Sequence, residues 1–201
     1  MTADPEILLQ EARAGDPATL GRLLDLYRSY LALLARVQIG QRLQGKLDAS
    51  DLVQETYLEA HRNFARFQGT SEGQFVRWLR QILATRLADL LRRYLGTQGR
   101  DVRLEREIQD GFDRSSVLLD RGLVAPQSSP SQQAARREQS VLLADALGQL
   151  PEDYREVIIL RNLEALTFPE VAERMGRSLD SVEKLWMRAL ARLRQQLGEQ
   201  S

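Results

Sequence analysis

Apolar residues recur at helical spacing through almost the whole chain. Leu20, Leu23, Leu24, Tyr27, Leu31 and Leu34 fall three and four apart, and no run alternates like a half-buried strand. This pattern predicts an all-α protein. Its punctuation agrees, because Asp4-Pro5 and Asp16-Pro17 each set a capping residue before a proline at the first helical position. Asp48 precedes a further helix to about Asn63, and Ser71 with Gln74 forms a capping-box pattern opening another that runs to about Leu95. Residues 1–96 therefore read as a small bundle of about four helices. Between 97 and 138 the periodicity degrades: Gly96, Gly99, Gly111 and Gly122 interrupt it, and the polar run Pro126–Gln133 (PQSSPSQQ) follows, which predicts a flexible linker. Periodicity returns at about Ser140. Pro151, the weak stretch at Glu164 and Ala165, and Gly176 divide the second domain, 139–201, into four short helices.

The end of the chain carries the most specific local pattern. Thr167-Phe168-Pro169-Glu170 is a capping box with proline in the first turn, so a helix starts at Thr167 with Val171, Ala172 and Met175 inward. Gly176 ends it and Ser178 caps a longer helix whose inner positions are Val182, Leu185, Trp186, Ala189, Leu190, Leu193 and Leu197. Two helices joined this way form a helix-turn-helix, or else a helical hairpin with a solvated outer face. In the first case Glu183, Lys184, Met187 and Arg188 face a major groove. Arg and Lys donate to guanine, a carboxylate accepts from cytosine, and Met packs on a thymine methyl. Arg161, Arg174 and Arg177 lie close enough to position the motif on phosphates.

Charge complicates this picture. Lys plus Arg equals Asp plus Glu at 28 each, with 13 basic against 11 acidic to Gly96, seven against seven to Glu138, and eight against ten beyond. Phosphate attraction supplies most non-specific affinity for nucleic acid, so a neutral chain needs a partner that holds the DNA. The 201 residues are 43% hydrophobic, enough for real cores. No cysteine is present, which excludes disulfides, thiolate zinc sites and cysteine nucleophiles, and the lone His61 reads as a surface residue rather than a metal ligand. No stretch approaches the roughly 20 apolar residues of a membrane span, and the N-terminus lacks a secretion signal, so the chain is expected in the cytoplasm. There is no GxxxxGK[ST] phosphate loop, and Asp101, Glu105 and Glu107 sit in the linker without a nucleophile. The expectation is therefore no enzyme, metal or cofactor.

Two blocks then resemble a known family. The first comprises GDPATLGRLLDLYRSYLALLAR, DASDLVQETYLEAHRNFARF and FVRWLRQILATRLADLLRRY, together spanning most of Gly15 to Tyr94. The second is LPEDYREVIILRNLEALTFPEVAERMGRSLDSVEKLWMRALARL, Leu150 to Leu193. Both are similar to sigma factors of the sigma-70 family, in the short extracytoplasmic-function group that keeps regions two and four. The resemblance implies a factor that binds core RNA polymerase and directs it to promoters. Asp51, Leu52, Val53, Gln54, Glu55 and Leu58 would dock on the coiled coil of the large clamp subunit. Independently, Leu52, Val53, Tyr57 and Leu58 do not fit one narrow core stripe, which leaves apolar area for a partner.

The resemblance further implies that Phe67, Gln68, Gly69, Thr70, Ser71, Arg77, Arg80, Thr85, Arg92 and Arg93 contact melted minus-10 DNA. Stacking surfaces with nearby cations suit unstacked bases. Trp78 instead continues the core spacing of Phe75, Leu79 and Ile82. Duplex minus-35 DNA would be read by Arg161, Thr167, Arg177, Ser181, Glu183, Lys184, Met187 and Arg188. An anti-sigma factor or other regulator is a further expected partner, and the chain is expected to be a monomer that does not insert in membranes. Three departures stand out. Thr85 replaces the asparagine of the family's WLxxIAxN pattern, Glu183 occupies a commonly basic position, and the segment from Phe67 to Trp78 is slightly longer than in many members. Two other readings fit the residues alone: a stand-alone helix-turn-helix repressor or activator that grips duplex half-sites by itself, and an adaptor that never touches DNA.

Overall fold

A computed structural model describes residues 4–43, 48–95, 102–121 and 130–199, and all regular structure among them is helical. They form two compact units, Met1–Ser116 and Val117–Ser201. Gly96, Gly99, Asp101 and Gly122 of the expected linker lie outside the described residues.

In the first unit the predicted caps form. Asp4 accepts from the Glu6 amide at 2.9 Å and opens α1 (Pro5–Arg13), and Asp16 accepts from Ala18 at 3.0 Å and opens α2 (Pro17–Leu26). Helix α3 (Arg28–Leu43) follows, then α4 (Ala49–Asn63), whose first turn is capped by Asp48 accepting from Ser50 at 2.8 Å. These bonds hold the carboxyls of Asp16 and Asp48 below the usual range; the Thr19 hydroxyl leads at Asp16 and the Ser50 amide at Asp48. A 3-10 turn, Phe64–Arg66, and a short loop lead into α5 (Glu72–Leu95). Helix α4 packs on both α3 and α5, and Leu31, Leu34, Leu52, Phe75, Leu79, Leu83 and Leu87 are fully buried.

The span expected to be linker departs from its reading. It holds a 20-residue helix, α6 (Val102–Arg121), and the start of α7 (Pro130–Gln149). Ile108 and Phe112 of α6 are fully buried, and Ser115 and Ser116 are buried beside them. The Tyr30 hydroxyl lies 3.0 Å from Ser116 Oγ, and Arg80 donates to the same oxygen at 2.7 Å. A Cβ at Gly111 would fall 2.4 Å from Gln38 Oε1, so a larger residue there would have to displace the end of the Gln38 side chain. Three of the five buried residues described in α6 are glycine or serine, which apolar periodicity does not register.

The second unit contains α7, then α8 (Glu152–Ile158) continuing into a π-turn, Ile159–Leu163. The Glu164 amide donates to Ile159 O at 2.9 Å and Ala165 adopts φ 58°, ending the helix where the pattern weakened. Helix α9 (Phe168–Met175), Gly176 at φ 62° and α10 (Leu179–Glu199) complete it. Its core is Leu147, Leu150, Val157, Ile158, Leu160, Val171, Val182 and Ala189, with α10 packed on α7, α8 and α9.

Candidate nucleic-acid and partner interfaces

Helix α4 has two faces. Leu52, Val53, Thr56 and Ala60 point into the core, the Thr56 hydroxyl donating to Leu52 O at 2.8 Å. Leu52 and Val53 were expected at a docking surface, but they are 0% and 4% exposed. Both are corrected to core positions, because they lie on the side where α3 and α5 close over α4. Asp51, Gln54, Glu55 and Leu58 fall at i, i+3, i+4 and i+7 and so form one outer stripe, with Leu58 53% exposed. The three polar side chains make no hydrogen bond or ion pair with any described residue. Tyr57 sits between the faces: its hydroxyl donates to Leu24 O, Arg28 lies 5.8 Å from its ring, and burial pushes its phenol upward.

A second surface forms where α4 meets α5. Phe67 packs on Trp78 with ring centroids 5.0 Å apart, and both contact Phe64 and Phe75; Tyr27 joins through Phe75 at 5.9 Å. Trp78, expected in the core, is half-buried at the edge of this cluster. The Gln68–Ser71 loop is tied across it. Arg13 donates to Gly69 O at 2.7 Å, Thr70 N donates to Gln74 Oε1 at 2.7 Å, and Ser71 and Gln74 exchange the predicted capping-box bonds at 3.3 and 3.4 Å. A Cβ at Gly69 would come 2.2 Å from the Phe67 ring and 2.9 Å from Gln74 Cβ, so a larger residue there would have to displace the ring.

Beside the loop lies an open cavity of about 460 Å3, lined among others by Arg13, Asp16, His61, Phe64 and Phe67. Sequence reasoning found only Phe67 of these five. Arg13 and Asp16 come from the α1–α2 turn, distant in sequence, and no periodicity links them to the loop. His61 is exposed, as expected.

The cations along α5 differ in availability. Arg77 and Arg93 are exposed and bond to no described residue. Arg80 is spent internally: it donates to Tyr30 at 3.1 Å and Ser116 at 2.7 Å and pairs with Asp113 at 3.4 Å. Arg92 pairs with Asp89 and donates to Ala88 O at 3.3 Å, and the Thr85 hydroxyl bonds back to Gln81 O at 3.0 Å. Gln68 and Thr70 are exposed, and Ser71 and Phe67 are half-buried.

In the second unit the Thr167–Glu170 capping box is present, with Thr167 N donating to Glu170 Oε2 at 2.7 Å. The Thr167 hydroxyl, donating to the same carboxylate, is the chief cause of its lowered pKa. Ser178 caps α10 by accepting from Ser181 at 3.3 Å. The predicted outward residues Glu183, Lys184, Met187 and Arg188 are all exposed, Met187 at 58%, while Ser181 is half-buried. Arg161 turns back to Leu166 O at 3.2 Å and lies 4.9 Å from the Phe168 ring; Arg177 pairs with Asp153. Trp186 donates to Asn162 at 2.9 Å and packs edge-on against Phe168. No helix among the described residues is long and apolar enough to cross a membrane, and no cluster of three potential metal ligands occurs among them.

The chain thus pairs a helical unit carrying an aromatic cluster beside an open cavity with a capped helix-turn-helix, an arrangement of the kind that contacts DNA. Residues 26–95 match the Sigma-70 region 2 family and residues 140–193 the Sigma-70, region 4 family. The RNA polymerase sigma factor CnrH of Cupriavidus metallidurans is 30% identical over 188 residues, covering 93% of this chain and 91% of that protein. The ECF RNA polymerase sigma-E factor of Haemophilus influenzae is 27% identical over 187 residues, covering 92% and 90%. A solved structure of CnrH in complex with the cytosolic domain of CnrY aligns at 25% identity over 98% of this chain and all of that one, with a TM-score of 0.35. The chain belongs to the sigma-70 family, in its extracytoplasmic-function group. It directs promoter-specific initiation of transcription by RNA polymerase.

Proposed function

We propose that the two units divide the work of promoter recognition. The first, with its boundary moved from residue 96 to include the α6 residues up to Ser116, docks on the clamp coiled coil of core polymerase through Asp51, Gln54, Glu55 and Leu58. The observation that carries this is the outer stripe of α4: one exposed apolar side chain among three polar groups that bond to no described residue. The open cavity beside the Gln68–Ser71 loop takes an unstacked minus-10 base against Phe64 and Phe67, with Arg77 and Arg93 on the backbone. The second unit reads duplex minus-35 DNA with α10.

The polymerase supplies the positive charge the chain lacks, and tethering makes the second DNA engagement intramolecular, so two weak readers suffice. The chain acts in the cytoplasm as a non-enzymatic monomer, and strand opening draws on binding energy. A protein regulator of the anti-sigma type fits the same uncovered α4 face. The test is to mix the chain with core polymerase and a pool of promoter fragments. Co-migration and promoter-dependent transcripts are expected, and Leu58→Asp is expected to abolish both. A chain that ignores polymerase and grips duplex operators alone would sink the reading in favour of a stand-alone repressor.

A further inference from the structure

Helix α10 offers DNA an unusual face. Leu179, Glu183 and Met187 form one stripe at i, i+4 and i+8, with Leu179 46% and Met187 58% exposed. Glu183, between them, is exposed and bonds to no described residue. Its neighbour Lys184 does not neutralise it, because Lys184 Nζ is held by Asp180 Oδ2 at 2.7 Å. Arg188, on the same half of the helix, is exposed and bonds to no described residue. The stripe is thus an acceptor flanked by apolar groups, not a set of donors.

We infer that Glu183 makes the minus-35 element of this protein carry a cytosine at the base pair the carboxylate faces, and that Met187 places a thymine about two base pairs away. This rests on the reading that α10 enters the major groove. A carboxylate only accepts. Guanine shows N7 and O6 acceptors and thymine its O4, so both repel it; adenine offers N6 but sets the N7 acceptor beside it; cytosine offers N4 alone. Met187 lies four residues on, about 6 Å along the helix, against a rise of about 3.4 Å per base pair. Its thioether arm is apolar and flexible enough to cover a thymine methyl.

The experiment uses holoenzyme assembled from core polymerase and the full chain. It transcribes promoter fragments randomised in the minus-35 window, and the transcripts are sequenced. The unaltered chain is expected to enrich cytosine at one position. Glu183→Ala should flatten that position by about tenfold and leave the others unchanged. Glu183→Gln should move the preference there from cytosine to adenine, since an amide pairs with N6 and N7 together. Met187→Ala should weaken a thymine preference about two positions away by a smaller factor. Identical base profiles for the unaltered chain and both Glu183 variants would overturn the inference, as would guanine or thymine at the Glu183-sensitive position. If the unaltered chain initiates but shows no preference anywhere in the window, the underlying minus-35 assignment fails first, and the inference with it.

Discussion

The two surfaces assigned to DNA are built on opposite plans. In the first unit the proposed surface is made by packing: five aromatic rings lean on one another, a glycine lies against them, and Arg13 and Gln74 tie the loop down. In the second, packing ends at Leu185, Ala189 and Leu193, and the proposed reading side chains are exposed on the other side of α10, only Lys184 among them being held, by Asp180. A base pulled from its stack needs a rigid cleft of fixed shape, whereas a base edge in a groove needs a few donors and acceptors at fixed spacing. Changes near the first surface should therefore cost stability, and changes on the second should cost specificity.

The sharpest break of that contrast is at Phe75, fully buried at the centre of the aromatic cluster. Phe75→Ala is expected to destabilise the first unit by about 3–5 kcal/mol. The chain has two tryptophans, Trp78 in the first unit and Trp186 in the second, so fluorescence of Trp78→Phe and Trp186→Phe variants reports each unit separately. A Phe75→Ala variant that leaves the Trp78 transition unmoved would refute the rigid-cleft account.

Next in size is the contrast between two arginines on α5. Arg80→Ala strips a donor from Tyr30 and Ser116 and the partner from Asp113, and is expected to cost about 1–3 kcal/mol in urea unfolding. Arg77→Ala should leave unfolding within about 0.5 kcal/mol of the unaltered chain, because Arg77 is exposed and bonds to no described residue. Its effect should appear in open-complex formation, scored by permanganate reactivity of promoter thymines. The reverse assignment, with Arg80 neutral to folding, would return Arg80 to the DNA-facing set.

These two arginines also show where sequence reading runs out. The caps at Asp4, Asp16, Asp48, Ser71, Thr167 and Ser178 were legible because each is a local bond between residues two or three apart. The outer residues of α10 were legible because seven inner positions keep a helical period. Arg77 and Arg80 look alike in sequence, and bonds to Tyr30 of α3 and to Asp113 and Ser116 of α6 distinguish them; α6 itself was hidden because Gly111, Ser115 and Ser116 supply much of its inner face. Leu52 and Val53 were misplaced for a related reason. A helix covered on two sides buries a wider arc than the narrow stripe assumed for α4. The cavity lining failed most completely, since Arg13 and Asp16 reach it from a turn some fifty residues before the loop.

Smaller effects sharpen the comparison within the second unit. Thr167→Ala removes a cap from α9 without touching the exposed stripe of α10, so a loss of about 1 kcal/mol in the Trp186 transition is expected. Promoter choice should be unchanged. A shifted minus-35 preference in this variant would place Thr167 on DNA as well as at the helix start.

The smallest expected effect separates the units by pH. Burial raises the carboxyl of half-buried Glu164 above its ordinary 4.5, with Arg174 opposing the shift and Glu156 adding to it. The folded second unit thus holds this proton more tightly than the unfolded chain, so its stability falls as pH rises from about 4.5 through the folded value. Asp16 and Asp48 are lowered, so the stability they give the first unit is complete above their ordinary 3.8 and lost only as pH falls below it. Glu170, also lowered, contributes nothing to the slope above 4.5. From pH 4.5 toward neutrality the Trp186 transition should therefore weaken with a slope that Glu164→Gln removes, while the Trp78 transition shows no contribution from these two caps. An unchanged slope in Glu164→Gln would mean that the proton is held elsewhere in the second unit.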